Sequence, residues 1–164
     1  YDHRYVFEEI GYNLKPIDMQ AAMGLEQLKK LPALDEARRQ NFDRLTAIFE
    51  PYKQYFDMPV ATDKADPCWF AYLLTVKEDA PFGRQEIVDH LEAAKIQTRS
   101  YFAGNALAHP AYNHLAEQYG DLQEAFPVAA LVTTNSFFLG TFKGLTDEKL
   151  HYIKTVVDAF FRKH

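Results

Sequence analysis

Between Trp69 and Val76 the spacing of the apolar residues changes. Phe70, Tyr72, Leu74 and Val76 fall at every second position, the period of a strand, whereas the segments on either side repeat at helical spacing. That switch commits the chain to a mixed fold. Upstream, Pro16 suits the first turn of a helix whose face carries Ile17, Ala21, Gly24, Leu28 and Leu31. Gly24 weakens such a helix by about 1 kcal/mol relative to Ala, which predicts close packing against another helix or subunit. Pro32 opens a longer helix with Leu34, Phe42, Leu45, Phe49 and Tyr52 on its apolar face and Arg38, Arg39 and Asp43 on the other. The stretch from Pro51 to Pro67, with three prolines and several acidic residues, is the hinge candidate.

After the strand the pattern gives a helix over Arg84–Ala94, with Ile87, Val88 and Leu91 inward, and a short strand over Ile96–Arg99. A loop follows at Ala103–Tyr112, then a short helix at Asn113–Tyr119 and a helical stretch over 121–131 broken at Pro127. Asn135–Leu139 reads as a third strand. Thr146 caps a last helix, with Asp147 and Glu148 near its positive end and Leu150, Ile153, Val157 and Phe160 as its buried stripe. The order implies an α+β domain: a small sheet covered on one face, with a helical arm in front.

The 164 residues suffice for one compact domain with a core. A net charge of −5 argues against nucleic acid, whose phosphates demand a clustered excess of Lys and Arg. There is no apolar run of about 18 residues to span a membrane, and no secretory leader pattern. The one cysteine, Cys68, excludes an internal disulfide and multi-cysteine metal sites, and suits a reducing cytoplasm. The six histidines show no metal-ligand spacing, so no metal site is expected. The chain opens on Tyr1, without Met and already aromatic, which predicts more protein upstream.

Three local features exceed what packing requires. Gly11-Tyr12-Asn13-Leu14-Lys15-Pro16 delivers an amide and a cation just before a helix start, where free N–H groups favour anions; Asn13 is equally suited to capping the turn. Arg99-Ser100-Tyr101-Phe102-Ala103-Gly104-Asn105 ends a strand on an arginine able to grip a phosphate, or to sit on the surface. The aromatic pair in Pro67-Cys68-Trp69-Phe70 can support a ring-shaped ligand, or Trp69 can simply fill the core. Composition and spacing reveal no self-contained set of catalytic groups.

Taken in order, the segments resemble the C-terminal part of the sugar aminotransferase/dehydratase family (DegT/DnrJ/EryC1/StrS). The superfamily match lies in Gly11-Tyr12-Asn13, Asp18-Met19-Gln20-Ala21-Ala22-Met23-Gly24 and Gln27-Leu28-Lys29-Lys30-Leu31-Pro32. The 3-dehydratase branch, and within it the enzymes acting on CDP-4-dehydro-6-deoxyglucose, is resembled in Tyr1-Asp2-His3, Arg39-Gln40-Asn41-Phe42, Asp66-Pro67 with Trp69-Phe70, Ile96-Gln97-Thr98-Arg99, Phe102-Ala103-Gly104-Asn105 and Asn135-Ser136-Phe137.

The resemblance implies the small C-terminal domain of the aspartate-aminotransferase-like fold (fold type I of pyridoxal-phosphate enzymes), with a helical arm over 1–52, an α+β part over 67–164 and the large catalytic domain upstream. It implies removal of the C3 hydroxyl from a nucleotide-linked 4-keto-6-deoxy sugar, in lipopolysaccharide O-antigen synthesis. Pyridoxamine or pyridoxal 5′-phosphate acts there as electron sink. A homodimer, a [2Fe-2S] cluster in the missing part and a flavin/iron–sulfur reductase partner are implied too. The family's catalytic histidine, ring-nitrogen aspartate and cluster cysteines match nothing here, so no catalytic residue is expected in this chain. By the same resemblance, Asn13 reaches the cofactor phosphate across the dimer, and Lys15, Arg99, Gly104 and Asn105 face the substrate; Trp69 joins them as a substrate candidate on its local aromatic pair alone. The implied alternatives are a nucleotide-sugar aminotransferase and a GDP-sugar 3-dehydratase. A stand-alone binding or dimerisation module is the rival of another class.

Overall fold

The computed structural model describes residues 11, 12 and 14–164, in two units that divide after Ala33. Within the first, α1 (Asp18–Leu28) begins where expected. The Gln20 side-chain oxygen accepts the Ile17 N–H at 2.9 Å, satisfying one donor at the helix start. The helix carries no buried residue. Nothing described lies within 4 Å of where a Gly24 side chain would begin, so close packing inside this chain does not explain that glycine.

The second unit starts inside α2 (Leu31–Phe49). Four antiparallel strands, β1 (Phe56–Asp57), β2 (Ala71–Val76), β3 (Arg99–Ser100) and β4 (Ser136–Gly140), form one sheet in the order β1-β2-β4-β3. Register sorts the side chains. Tyr72 opposes Leu139 and Leu74 opposes Phe137 on the core face, while Ala71–Gly140, Leu73–Phe138 and Thr75–Ser136 share the other. Helices α2, α3 (Arg84–Ala93) and α7 (Asp147–Phe161) supply the rest of the core through Leu45, Ile48, Phe49, Ile87, Leu91, Leu150, Ile153, Val157 and Phe160. Thr146 caps α7 by accepting the Lys149 N–H at 3.4 Å. Two single-turn helices, α4 (Asn113–Ala116) and α5 (Leu122–Ala125), precede α6 (Pro127–Asn135); the helical stretch is broken where expected, at Phe126 (φ −136°), and Pro127 occupies the first turn of the helix that follows. No helix among the described residues is long and apolar enough to cross a membrane.

The proposed hinge contains β1, anchored in the core by Phe56 and paired to Thr75 and Val76. Phe70 does not continue the strand. The Thr141 hydroxyl takes the carbonyls of Trp69 (2.8 Å) and Phe70 (3.0 Å), the chain turns there, and Phe70 is left 61% exposed. The second strand is Arg99–Ser100, because Ile96 is engaged in ending α3, its N–H bonded to the Leu91 carbonyl. The loop at 103–112 holds two 3-10 turns, Ala106–Ala108 and Pro110–Tyr112, and the helix beginning at Asn113 ends at Ala116. On α2, Leu34 is exposed and Arg38 shares the side of Phe42, one turn along.

Tyr72 has no exposed surface, and its hydroxyl has no hydrogen-bond partner among the described residues. The Thr46 hydroxyl beside it is committed to the Phe42 carbonyl at 3.0 Å. Burial pushes the Tyr72 phenol up to about 12. A phenol whose folded pKa exceeds its unfolded value stabilises the fold fully below about pH 10, and that stability is lost as pH rises towards 12. The loss amounts to about 2–3 kcal/mol. Tyr72→Phe should match the parent at neutral pH and lose less stability in alkali. Denaturant midpoints at several alkaline pH values measure the difference.

Candidate functional site

At the Gly140 end of β4 the second unit opens a cavity of about 1110 Å³. Phe70, Phe102, Phe138 and Phe142 form aromatic walls, and Arg38, Lys95, Arg99 and Lys149 bring four cationic side chains; no Asp or Glu lines it. For a chain of net charge −5, this concentration of one sign makes the cavity a place for an anion.

Each cation is positioned by local structure. Arg99 opposes Phe138 in the β3–β4 ladder, which puts its side chain on the same face as that ring. The turn before it is tied down by Glu92, whose carboxylate accepts the Thr98 N–H at 2.5 Å and the Thr98 hydroxyl at 2.8 Å. Those two bonds, the backbone one foremost, hold the Glu92 carboxyl below its ordinary range. Arg38 lies over the Phe70 ring, 5.9 Å from its centre. Lys149 sits 5.9 Å from the centre of the Phe142 ring and donates to the Gly144 carbonyl at 2.8 Å. Among the described residues neither Arg38 nor Arg99 has a carboxylate partner, whereas the neighbouring Arg39 pairs with Asp66.

The floor is braced by buried amide and hydroxyl groups. Asn41, on α2, donates to the carbonyls of Phe142 (2.9 Å) and Thr141 (3.4 Å), and Thr141 in turn holds Trp69 and Phe70. Sequence reasoning puts Arg38 on the outer side of α2 and picks out Asn41 only within the stretch Arg39–Phe42; neither is expected at the site, yet both lie on the side of α2 that carries Phe42 and Leu45.

Of the site residues expected from sequence, Arg99 lines the cavity. Trp69 stacks on Phe42, centroids 5.0 Å apart and planes 8° apart, and is not part of the lining. Gly104 and Asn105 fold against α6: the Asn105 N–H donates to the Thr133 hydroxyl at 2.8 Å, and the Asn105 side chain accepts from Leu107. Gly104 has φ +62°, and a side chain there would begin 2.3 Å from the Thr133 hydroxyl, so only glycine fits. The turn seats Phe102, whose ring stacks 6.3 Å from that of Phe70. Lys15 is exposed in the first unit, and Asn13 lies outside the described residues. Cys68 donates to Asp35 at 3.4 Å; burial, then that bond and the Asp35 charge, push its thiol up, which disfavours a nucleophilic thiolate. The described residues contain no cluster of three or more His, Cys, Asp or Glu able to hold a metal.

The profile of the DegT/DnrJ/EryC1/StrS aminotransferase family matches residues 1–159. A dTDP-4-dehydro-2,6-dideoxy-D-glucose 3-dehydratase of Saccharopolyspora spinosa is 38% identical over 163 residues, covering 99% of this chain and 34% of that protein. The lipopolysaccharide biosynthesis protein RfbH of Salmonella typhimurium is 37% identical over 162 residues, covering 98% and 36%. Among solved structures, the E. coli GDP-4-keto-6-deoxy-D-mannose-3-dehydratase with bound hydrated PLP superimposes with a TM-score of 0.71 at 28% identity, covering 95% of this chain and 39% of that one. The α+β small-domain fold expected from sequence is the one found. The chain spans about a third of the length of the curated relatives it matches, 34% and 36%.

Proposed function

We propose, on the premise that this chain belongs to the DegT/DnrJ/EryC1/StrS aminotransferase family, that it is the C-terminal part of an enzyme removing the C3 hydroxyl of a nucleotide-linked 4-keto-6-deoxy sugar. The observation that carries the reading is the cavity: four cations, no carboxylate and aromatic walls. A nucleotide sugar presents the complementary chemistry, a diphosphate between two ring systems. In this reading Arg99 and Arg38 hold the diphosphate, planar guanidiniums suiting its paired oxygens. Phe70 and Phe102 offer ring faces and exclude water from one side. Gly104 and Asn105 act on the substrate side through the turn that seats Phe102; a role for Lys15 rests on the family resemblance alone, and Trp69 acts behind the wall by packing on Phe42.

Pyridoxamine or pyridoxal phosphate, the cofactor of this reading, supplies an electron sink when bound. The cavity itself does not fit that group, because its lining offers no carboxylate to pair with a pyridine nitrogen. It fits the substrate's phosphates. The chain's share in the cofactor is confined to Asn13, reaching its phosphate in the neighbouring subunit of a cytoplasmic homodimer. The division into an arm over 1–52 and an α+β part over 67–164, with the catalytic domain upstream, belongs to the same proposal. The described residues supply no ligand set for an iron–sulfur cluster, and the reading assigns this chain none.

Cytidine is the proposed base, on the resemblance of Ile96–Arg99 and Phe102–Asn105 to the CDP-sugar branch. The whole enzyme, loaded with pyridoxamine phosphate, is to be incubated with the CDP, GDP and dTDP forms of a 4-keto-6-deoxyhexose and the products weighed by mass spectrometry. Replacement of the C3 hydroxyl by hydrogen is expected, fastest from the CDP sugar: the sugar becomes lighter by one oxygen, while pyridoxamine phosphate is converted to pyridoxal phosphate and ammonia is released. Gain of an amine from glutamate, with the C3 oxygen retained, would replace the reading with transamination.

A further inference from the structure

Helix α3 ends in a manner that ordinarily selects glycine. The Ile96 N–H returns to the Leu91 carbonyl and the Lys95 N–H to the Glu92 carbonyl, both at 2.9 Å. These are the paired bonds of a Schellman cap, and its accompanying apolar contact is present, since Leu91 and Ile96 are both in the core. The residue at the bend must turn left-handed. It is Lys95, at φ 63°. A residue with a Cβ is disfavoured there relative to glycine. The cap is also held from α7, where the Tyr152 hydroxyl donates to the Ala94 carbonyl at 3.1 Å.

An ammonium at a helix C-terminus gains a little from the helix dipole. Ala94, one residue earlier and at φ −84°, offers that same gain without a left-handed backbone. The dipole therefore does not explain why the lysine occupies the strained seat. The cavity does. Among the described residues, three positions other than glycine have positive φ: Lys64, Lys95 and Phe102. Lys95 and Phe102 both line the cavity, and Lys64 does not. Strain gathered at a binding site is the pattern of residues held for function.

We infer that Lys95 is a ligand-binding residue, its left-handed seat delivering the ammonium to the cavity, where it holds the substrate's diphosphate together with Arg38 and Arg99. The inference rests on the reading of the cavity as a phosphate site, and the test separates the two. Inorganic pyrophosphate is titrated into the chain and its Lys95→Gly, Lys95→Asn and Lys95→Arg variants at fixed low ionic strength, and thermal unfolding is recorded for each.

Lys95→Gly and Lys95→Asn should bind about 3- to 10-fold more weakly, one charge-assisted contact being lost. The Tm of Lys95→Gly should hold or rise by about 2 °C, since glycine relieves the backbone. Lys95→Arg should stay within about 2-fold of the parent, because the charge is kept. Unchanged binding by the Gly and Asn variants would overturn the inference while leaving the cavity reading intact. So would a lower Tm for Lys95→Gly, which would show the lysine to be structural, or an Arg variant as weak as Gly. No binding of pyrophosphate by the parent chain would overturn the cavity reading, and the inference with it.

Discussion

Replacing Arg99 with alanine should weaken the binding of cytidine diphosphate to this chain by about 10- to 50-fold, the worth of a charge-assisted bidentate contact at a partly solvated site. Pairing of Arg99 with Phe138 leaves the guanidinium no choice of face, and the Glu92 latch on Thr98 fixes the turn that precedes it. Arg99→Lys should fall between the two, because an ammonium keeps the charge but not the planar fork. Raising the salt should weaken parent binding more than that of Arg99→Ala, since an exposed cation is screened within about 8 Å at physiological ionic strength. Isothermal titration at two ionic strengths measures all of this. An Arg99→Ala variant with the parent's affinity would remove Arg99 from the site.

Asn41→Ala should be the most destabilising single change at the cavity, costing about 2–3 kcal/mol and lowering the Tm by about 4–10 °C. Asn41 is 4% exposed and its two amide hydrogens serve the carbonyls of Thr141 and Phe142. Removing them strands two acceptors, and Thr141 cannot compensate. Its hydroxyl has one proton, already shared between the carbonyls of Trp69 and Phe70. Asn41→Asp should be worse than Asn41→Ala, because an ionised carboxylate only accepts and would face carbonyl oxygens. Thermal unfolding followed by circular dichroism decides it; a Tm within about 1 °C of the parent would show that the brace is dispensable.

These residues also mark where sequence reasoning succeeds and where it stops. Thr146 and the stripe through Leu150, Ile153, Val157 and Phe160 were legible because a cap and a 3.6-residue period are local properties. So was the alternation of Tyr72, Leu74 and Val76. Phe70 continues that alternation on paper, but a threonine 71 positions away takes its carbonyl and bends the chain out of the sheet. Strand β1 was hidden because two residues have no period, and only Phe56 buried opposite a distant partner makes them a strand. Asn13, Lys15 and Arg99 were found by motif, and of these the cavity contains Arg99. Arg38 resembled an ordinary surface charge until α2 was seen to turn it towards Phe70. Lys95 gave no signal at all, since nothing but glycine announces a left-handed bend in a sequence.

The strand order has a consequence for how the polypeptide is made. Thr75 and Ser136 share a hydrogen bond of 2.7 Å at the middle of the sheet, yet 61 positions separate them. A ribosome therefore releases β2 well before its inner neighbour exists, and α7, which supplies five core residues, emerges later still. Throughout that interval Tyr72, Leu74 and Val76 form an apolar strand with one long edge unmatched, the arrangement most prone to pairing with another nascent chain. Long-range pairing of this kind closes slowly, which lengthens the time the incomplete polypeptide spends with that edge open.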